Sequence, residues 1–371
     1  MRASLLILCA VVVAGCTRPP PPATAFQVKN RSDLIGGQRA LGETGDFKIS
    51  NGLIHAVIQD VGTSRGFGAF GGSLVDVDLV RSAAPSPASG PKGKDGFTEM
   101  FPAFFLQAIE PTKVEVAADG SDGKAAVVRV SGVSGDFVSI ARPLNETVIP
   151  QVPLSYTVDY VLEPGKQYLK IAVTMKNEAK DGRAASFPLS IPFGFITLLG
   201  EGQRLFVPGE PGFDMRYYLE EVAYKRESKL DALPGAVSSM WATEGDSVSY
   251  ALVAGRRGPS YMGANAAFYP GAKSDSLLIP VSSSSFLGSF WAKAPESVPA
   301  GESFSFSGYL AVGNGDIASV QKVAYAISDE RERTPTTTGE ISGRVTEAGT
   351  AAALDGISVV IEDEKRRLLS Q

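Results

Sequence analysis

Histidine is almost missing from this sequence: His55 stands alone among 371 residues. Zinc proteases need two histidines on one helix, a serine-histidine-aspartate site would need this one too, and no GxSxG turn is present. His55 alternates with Leu53 and Val57 on an expected strand, so it reads as a packed or hydrogen-bonded residue rather than a catalytic one. Cysteine is nearly as scarce, with Cys9 and Cys16 only. Positive charge is not in excess either. The net charge of −5 and the lack of a basic stripe exclude the electrostatic footprint of a nucleic-acid binder. No phosphate-cradling glycine motif is present, so neither a nucleotide nor any other cofactor is expected.

What is present begins at the N-terminus. MRASLLILCAVVVAG carries one positive charge at Arg2, an apolar stretch from Leu5 to Val13, and small residues at Ala14 and Gly15. That layout predicts a secretory signal peptide over residues 1–15. The run is shorter than the roughly 18 residues a transmembrane helix needs. Cys9 would leave with the signal peptide, so only Cys16 remains, and no intramolecular disulfide or cysteine metal site can form.

Val13-Ala14-Gly15-Cys16 resembles the bacterial lipobox, in which the cysteine becomes the lipidated first residue of the mature chain. The resemblance implies that acylated Cys16 makes the lipid bilayer a partner. It also implies export to the outer membrane of a Gram-negative bacterium, because Thr17 follows where an aspartate favours inner-membrane retention. Burial of about 0.8 kcal/mol per methylene makes such an anchor nearly permanent. Residues 16–25, with four consecutive prolines, read as a stiff extended tether.

The chain beyond is rich in turn formers, with 40 glycines and 24 prolines, and 44% of its residues are hydrophobic. This composition predicts many strands joined by turns. GDFKISNGLIHAVIQDVG holds Asn51-Gly52 between two alternating segments, a hairpin signature. In SYTVDYVLEPGKQYLKIAVTMKNEA, Tyr156, Val158, Tyr160 and Leu162, then Leu169, Ile171, Val173 and Met175, alternate with polar residues, as in an antiparallel sandwich. KAAVVRVSG, SVSYALVAG, SSFLGSFWA and SFSFSGYLAV are further strand candidates. Residues 26–333 therefore read as one large all-β, two-sheet body. It ends in one helix capped by Asp316, with Ile317, Val320, Val323, Ala324 and Ile327 at helical spacing. Residues 334–338 read as a polar linker.

Residues 339–371 open as Gly339-Glu340-Ile341-Ser342-Gly343-Arg344-Val345 and continue through Leu354-Asp355-Gly356-Ile357-Ser358-Val359-Val360. They resemble the first strands of the carboxypeptidase-regulatory-like family, an Ig/prealbumin-like β-sandwich of seven strands. Only the first third of that module is covered. Two or three strands alone are marginal, so these residues are expected to lack order or to lean on the body. The gene is expected to continue into the rest of the sandwich and a histidine-rich hydrolase. As a whole the layout resembles the N-terminal half of exported PHP-type metallohydrolase lipoproteins of myxobacterial type. LIGGQRALGETGDFKISNGLIHAVIQD carries that likeness in the body, which implies the β-supersandwich shared with galactose mutarotases.

Candidate chemistry is sparse. Asp76 and Asp78 in GGSLVDVDLV share a strand face, where two acids can bind calcium or act on glycosides, though a solvated face is the plainer expectation. Glu99, in DGFTEMFPAFF, is a third acid beside apolar neighbours. Aromatic rings could stack on sugars: Arg216, Tyr217 and Tyr218 in GFDMRYYLEEVAYKR, Tyr261 and Tyr269 in SYMGANAAFYPG, and Trp241 and Trp291. Core packing is the alternative for each. The expected function is a membrane-anchored, non-catalytic accessory or binding module facing glycan or envelope material. The alternatives are the front of a PHP-type hydrolase, a carboxylate-based carbohydrate-active enzyme, and a simple spacer.

Overall fold

A computed structural model describes residues 20–81, 92–104, 107–137, 142–148, 150–187, 192–208, 212–213, 236–237, 240–255, 277–280, 286–293, 295–333, 335, 337, 339, 341–354 and 356–371. The architecture is all-β and antiparallel. The first layer contains β1 (Thr24–Gln27), β2 (Phe47–Ser50), β3 (Ile54–Ile58), β4 (Leu74–Leu79) and β5 (Phe97–Phe104), paired in that order. The second layer begins with β6 (Gln107–Ala118), β7 (Ala126–Asp136), β8 (Leu154–Leu162) and β9 (Tyr168–Asn177). Between β7 and β8 lies a short helix, α1 (Arg142–Val148). β10 (Ala185–Ser186) leads to β11 (Pro192–Leu199), which returns to the first layer beside β5.

The remaining strands extend both layers. They are β12 (Arg204–Phe206), β13 (Ala236–Val237), β14 (Met240–Glu244), β15 (Ser249–Ala254), β16 (Leu277–Pro280), β17 (Phe286–Lys293), β18 (Ser297–Val298) and β19 (Ser303–Gly313). β17, β16 and β13 continue the first layer outward from β11, while β19, β15, β14 and β12 continue the second from β9. Among the described residues β5 and β6 join the layers through one pair, Phe104 with Gln107. The strands read from the sequence of the body are present.

The alternation in β8 and β9 is what the pattern predicted: Tyr156, Val158 and Tyr160 lie inside opposite Met175, Val173 and Ile171. The core is aromatic, and rings from the two layers meet there. Phe104 packs on Tyr156 with centroids 4.6 Å apart, and Phe97 meets Tyr250 edge-on at 5.3 Å. Tyr250 also donates its hydroxyl to the Val77 carbonyl at 2.7 Å, which satisfies its polar tip across the sandwich. The helix α2 (Ile317–Glu332) starts where Asp316 Oδ1 accepts from the Ser319 amide at 2.6 Å. Its buried Ile317, Val320, Ala324 and Ile327 cover the outer face of β14, β15 and β19. This second cover explains why β15 is buried on both faces.

At the C-terminus the expected pair of strands over 339–345 and 354–360 does not form among the described residues. A single bridge, Thr346 with Ala353, and a hairpin of β20 (Ile361–Glu362) and β21 (Leu368–Ser370) stand there instead. Ile341, Ile357, Val359 and Val360 stay exposed. The segment leans on the body only at its end, where Leu368 joins the α2 cluster and the Ala318 amide donates to the Gln371 carbonyl at 3.0 Å. Strands without a facing sheet to bury ISVVI have little to hold them.

Candidate functional site

Strand direction divides the body into two ends. Pro21 lies against Gly52 in the β2–β3 turn, Pro20 lies against Gly165 in the β8–β9 turn, and the turn before β7 meets Ala23. The segment that would carry the tether therefore leaves at the end bearing these turns. Asn51 closes that end. Its amide donates to the carbonyls of Glu163 and Lys166 at 2.7 and 2.6 Å and accepts from the Leu53 and Ile54 amides.

At the opposite end lie the loop from β3 to β4 and the end of β7. The loop, DVGTSRGFGAFGG in residues 60–72, is held from beneath by one carboxylate. Glu99 on β5 accepts from Ser64 Oγ at 2.5 Å, Ser73 Oγ at 2.7 Å, and the amides of Phe67 and Gly68 at 2.6 Å each. A Cβ at Gly66 would fall 2.5 Å from the Glu99 carboxylate, so this approach requires glycine. Pinned this way, the loop raises Phe67 to the surface, 51% exposed. Phe67 touches Phe137 (5.5 Å between centroids), which touches Phe101 (5.2 Å), while Phe70 lies against Gly135. Beneath the loop a pocket lined by Gly68, Phe70, Gly72, Phe101, Pro102 and Val130 holds room for about one water.

Next to Phe137 stands a polar network. Asp136 accepts from Arg142 Nε and Asn145 Nδ2 of α1, each at 2.9 Å, and from Gln107 Nε2 at 3.4 Å. Hydrogen bonds from Asn145 and Arg142 hold the Asp136 carboxyl below the usual range, so it is ionised. Through Phe137 the exposed Phe67 ring thus joins the residue that follows Asp136, whose carboxylate is fixed in a charged pair with Arg142. Neither Phe67 nor Asp136 stood out in the sequence. The available signal was a glycine-dense loop with two phenylalanines between strands.

The expected acids are placed otherwise than predicted. Asp76 and Asp78 are not on a solvated face; both are wholly buried. A bulge at Val75 in β4 turns Asp76 outward, but the segment over residues 34–45 covers it. Asp76 accepts from the amides of Leu41 (2.6 Å) and Gly42 (3.0 Å), and a Cβ at Gly42 would fall 2.5 Å from its oxygen. Asp78 accepts from Arg81 and from the Lys94 amide at 2.6 Å. Asp46 pairs with Arg65 and caps the Glu43 and Asp60 amides, and Asp95 accepts from the Val77 and Phe97 amides. Burial raises the Asp76 carboxyl to about 6 and pushes Asp95 well above the usual range. These acids hold loops by capping backbone amides. No group of three or more His, Cys, Asp or Glu suited to a metal occurs among the described residues.

His55 lies across from Asp78 on β3, its Nε2 shielded and without a partner among the described residues. Burial, then the charge of Lys48, lowers its pKa to about 4, so it is neutral at pH 7. Trp241 is a correction. It is 1% exposed and donates to Ser289 Oγ at 2.6 Å, so its ring is core and cannot stack on a ligand. Trp291 belongs to β17 by its backbone. Cys16, Arg216, Tyr217, Tyr218, Tyr261 and Tyr269 lie outside the described residues, as does the signal peptide.

No protein-family model matches this sequence, and no curated protein matches it either. Solved structures similar to the chain do exist. A TPR-domain containing protein from Parabacteroides distasonis has a TM-score of 0.42 and 9% identity over 91% of this chain, which spans 58% of that protein. A galactose mutarotase-like protein from Lactobacillus casei has a TM-score of 0.37 and 12% identity over 72% of this chain and 100% of its own. A galactose mutarotase related enzyme from Lactobacillus acidophilus has a TM-score of 0.36 and 9% identity over 73% of this chain and 98% of its own.

Proposed function

We propose that this chain is a lipid-anchored, non-catalytic envelope module that presents a glycan-binding surface away from the membrane. The observation that carries this reading is the polarity of the body. The tether segment meets the turns at Gly52 and Gly165, whereas the Phe67 loop and Asp136 lie at the other end of the same strands. β7 alone spans eleven residues, so the two ends stand about 35 Å apart. An anchor at Cys16 in an outer membrane would thus leave the far end facing outward, with the sandwich as a rigid spacer. The buried acids, each committed to loop amides, suit a binding body better than acid-base catalysis.

Fractionation and palmitate labelling test the anchor. Wild-type protein is expected in the membrane fraction carrying label, and Cys16→Ser is expected to be soluble in the exported fraction without it. A labelled, membrane-bound Cys16→Ser variant would refute the lipid anchor.

A second reading, the front of a PHP-type hydrolase, is favoured by the exposed Ile341, Ile357, Val359 and Val360, which further strands would cover. Histidine-rich coding directly downstream in any frame would support it.

A further inference from the structure

We propose that the far-end rim is an oligosaccharide site in which Phe67 stacks on the apolar face of a pyranose ring while Asp136 and Arg142 take its hydroxyls or those of the next sugar. The inference rests on the glycan-binding reading above and adds the place and the chemistry of contact.

Three features of the rim favour a sugar. Among the described residues Phe67 is the one exposed ring of the rim, since Phe101 is buried and Phe70 and Phe137 are half-buried beside it, and Val61 of the same loop adds one exposed aliphatic side chain. A stable protein partner would need roughly 800 Å² from this side, more than one ring and a few scattered aliphatic side chains supply. Sugars instead present a single C–H face that an aromatic ring matches, edged by hydroxyls that both donate and accept. Asp136 offers acceptors and Arg142 offers donors in planar arrays, and their mutual hydrogen bond at 2.9 Å sets them side by side. Asn145 is buried and holds Asp136 from behind. Gln107 also holds Asp136 in place, donating to it at 3.4 Å.

The platform is also built before a ligand arrives. Glu99 fixes the loop through the Phe67 amide itself, so little conformational freedom remains to be lost on binding. The loop pocket admits about one water and no sugar, which places contact on the rim rather than inside the body.

The test uses the full-length lipoprotein in detergent micelles on an array of neutral gluco-, galacto- and manno-oligosaccharides and peptidoglycan fragments. Wild-type protein is expected to bind at least one glycan. Phe67→Ala is expected to weaken that binding about tenfold or more, with the melting temperature unchanged because the ring is half exposed. Asp136→Asn should weaken it less, and Phe67→Trp should restore it with a ligand-dependent change in tryptophan fluorescence. Wild-type binding that Phe67→Ala and Asp136→Asn both leave unchanged would overturn this site while leaving the glycan reading intact. Failure of wild-type protein to bind any glycan on the array would overturn both.

Discussion

The two ends of the sandwich solve the same problem, closing off strands, by different means. At the tether end the β2–β3 and β8–β9 turns are short, and the long β4–β5 connection leaves beside them. Asn51 spans the two short turns with four hydrogen bonds, while the buried Asp78 holds the β4–β5 connection through Arg81 and the Lys94 amide. At the far end the β1–β2 and β3–β4 connections are long, and buried carboxylates gather several donors from each. Glu99 gathers four donors from the Phe67 loop and its base, and Asp46 binds Arg65 and two amides. A short turn stabilises itself locally, whereas a long loop needs a partner from another strand. The difference matters for function, because only the long loop can lift a ring clear of the sheet.

The largest effect is expected at Glu99. Glu99→Ala leaves four donors without their acceptor and should cost about 3 kcal/mol of stability. It should also open the chain to trypsin at Arg65, read by urea denaturation and limited proteolysis. A loss within about 0.5 kcal/mol and no new cleavage would break the contrast between the ends. Asn51→Ala should follow at about 2 kcal/mol. Cleavage at Arg65 should not change, because the effect is confined to the tether end. Faster cleavage there would mean that the two ends are not independent.

The smallest effect is one of pH. Asp95 has a folded pKa raised well above the ordinary 3.8 by burial and by Asp76, so the folded state holds a proton that the unfolded state has lost. Its contribution to stability therefore falls as pH rises from about 4 through that raised value. Asp76, at about 6, acts in the same direction up to that pH. His55, at about 4 against 6.5 unfolded, acts oppositely between those values. Asp95→Asn should lessen the fall in urea midpoint as pH rises above about 4, and an unchanged fall would assign it elsewhere.

Much of the fold was legible because it is periodic. Alternation at Tyr156, Val158 and Tyr160 demanded a half-buried strand, Asn51-Gly52 demanded a turn, and Asp316 before Ile317, Val320 and Ala324 demanded a capped helix. The site was not legible for the same reason that the acids misled. The spacing of Asp76 and Asp78 shows that they share a face, and nothing in it shows that a segment thirty-five residues earlier covers that face. Trp241 looked like a ligand platform and is core, because β17 supplies Ser289 for its indole.

By itself, then, the sequence determined the all-β class, the antiparallel pairs joined by short turns and the closing helix, since local periodicity and turn chemistry dictate these before any distant contact forms. Tertiary structure alone decided which carboxylates are buried and which ring is raised. Those outcomes depend on β5 bringing Glu99 under a loop some thirty residues away and on β7 ending beside it. Burial and hydrogen bonding are properties of the assembled sheets rather than of any stretch of chain.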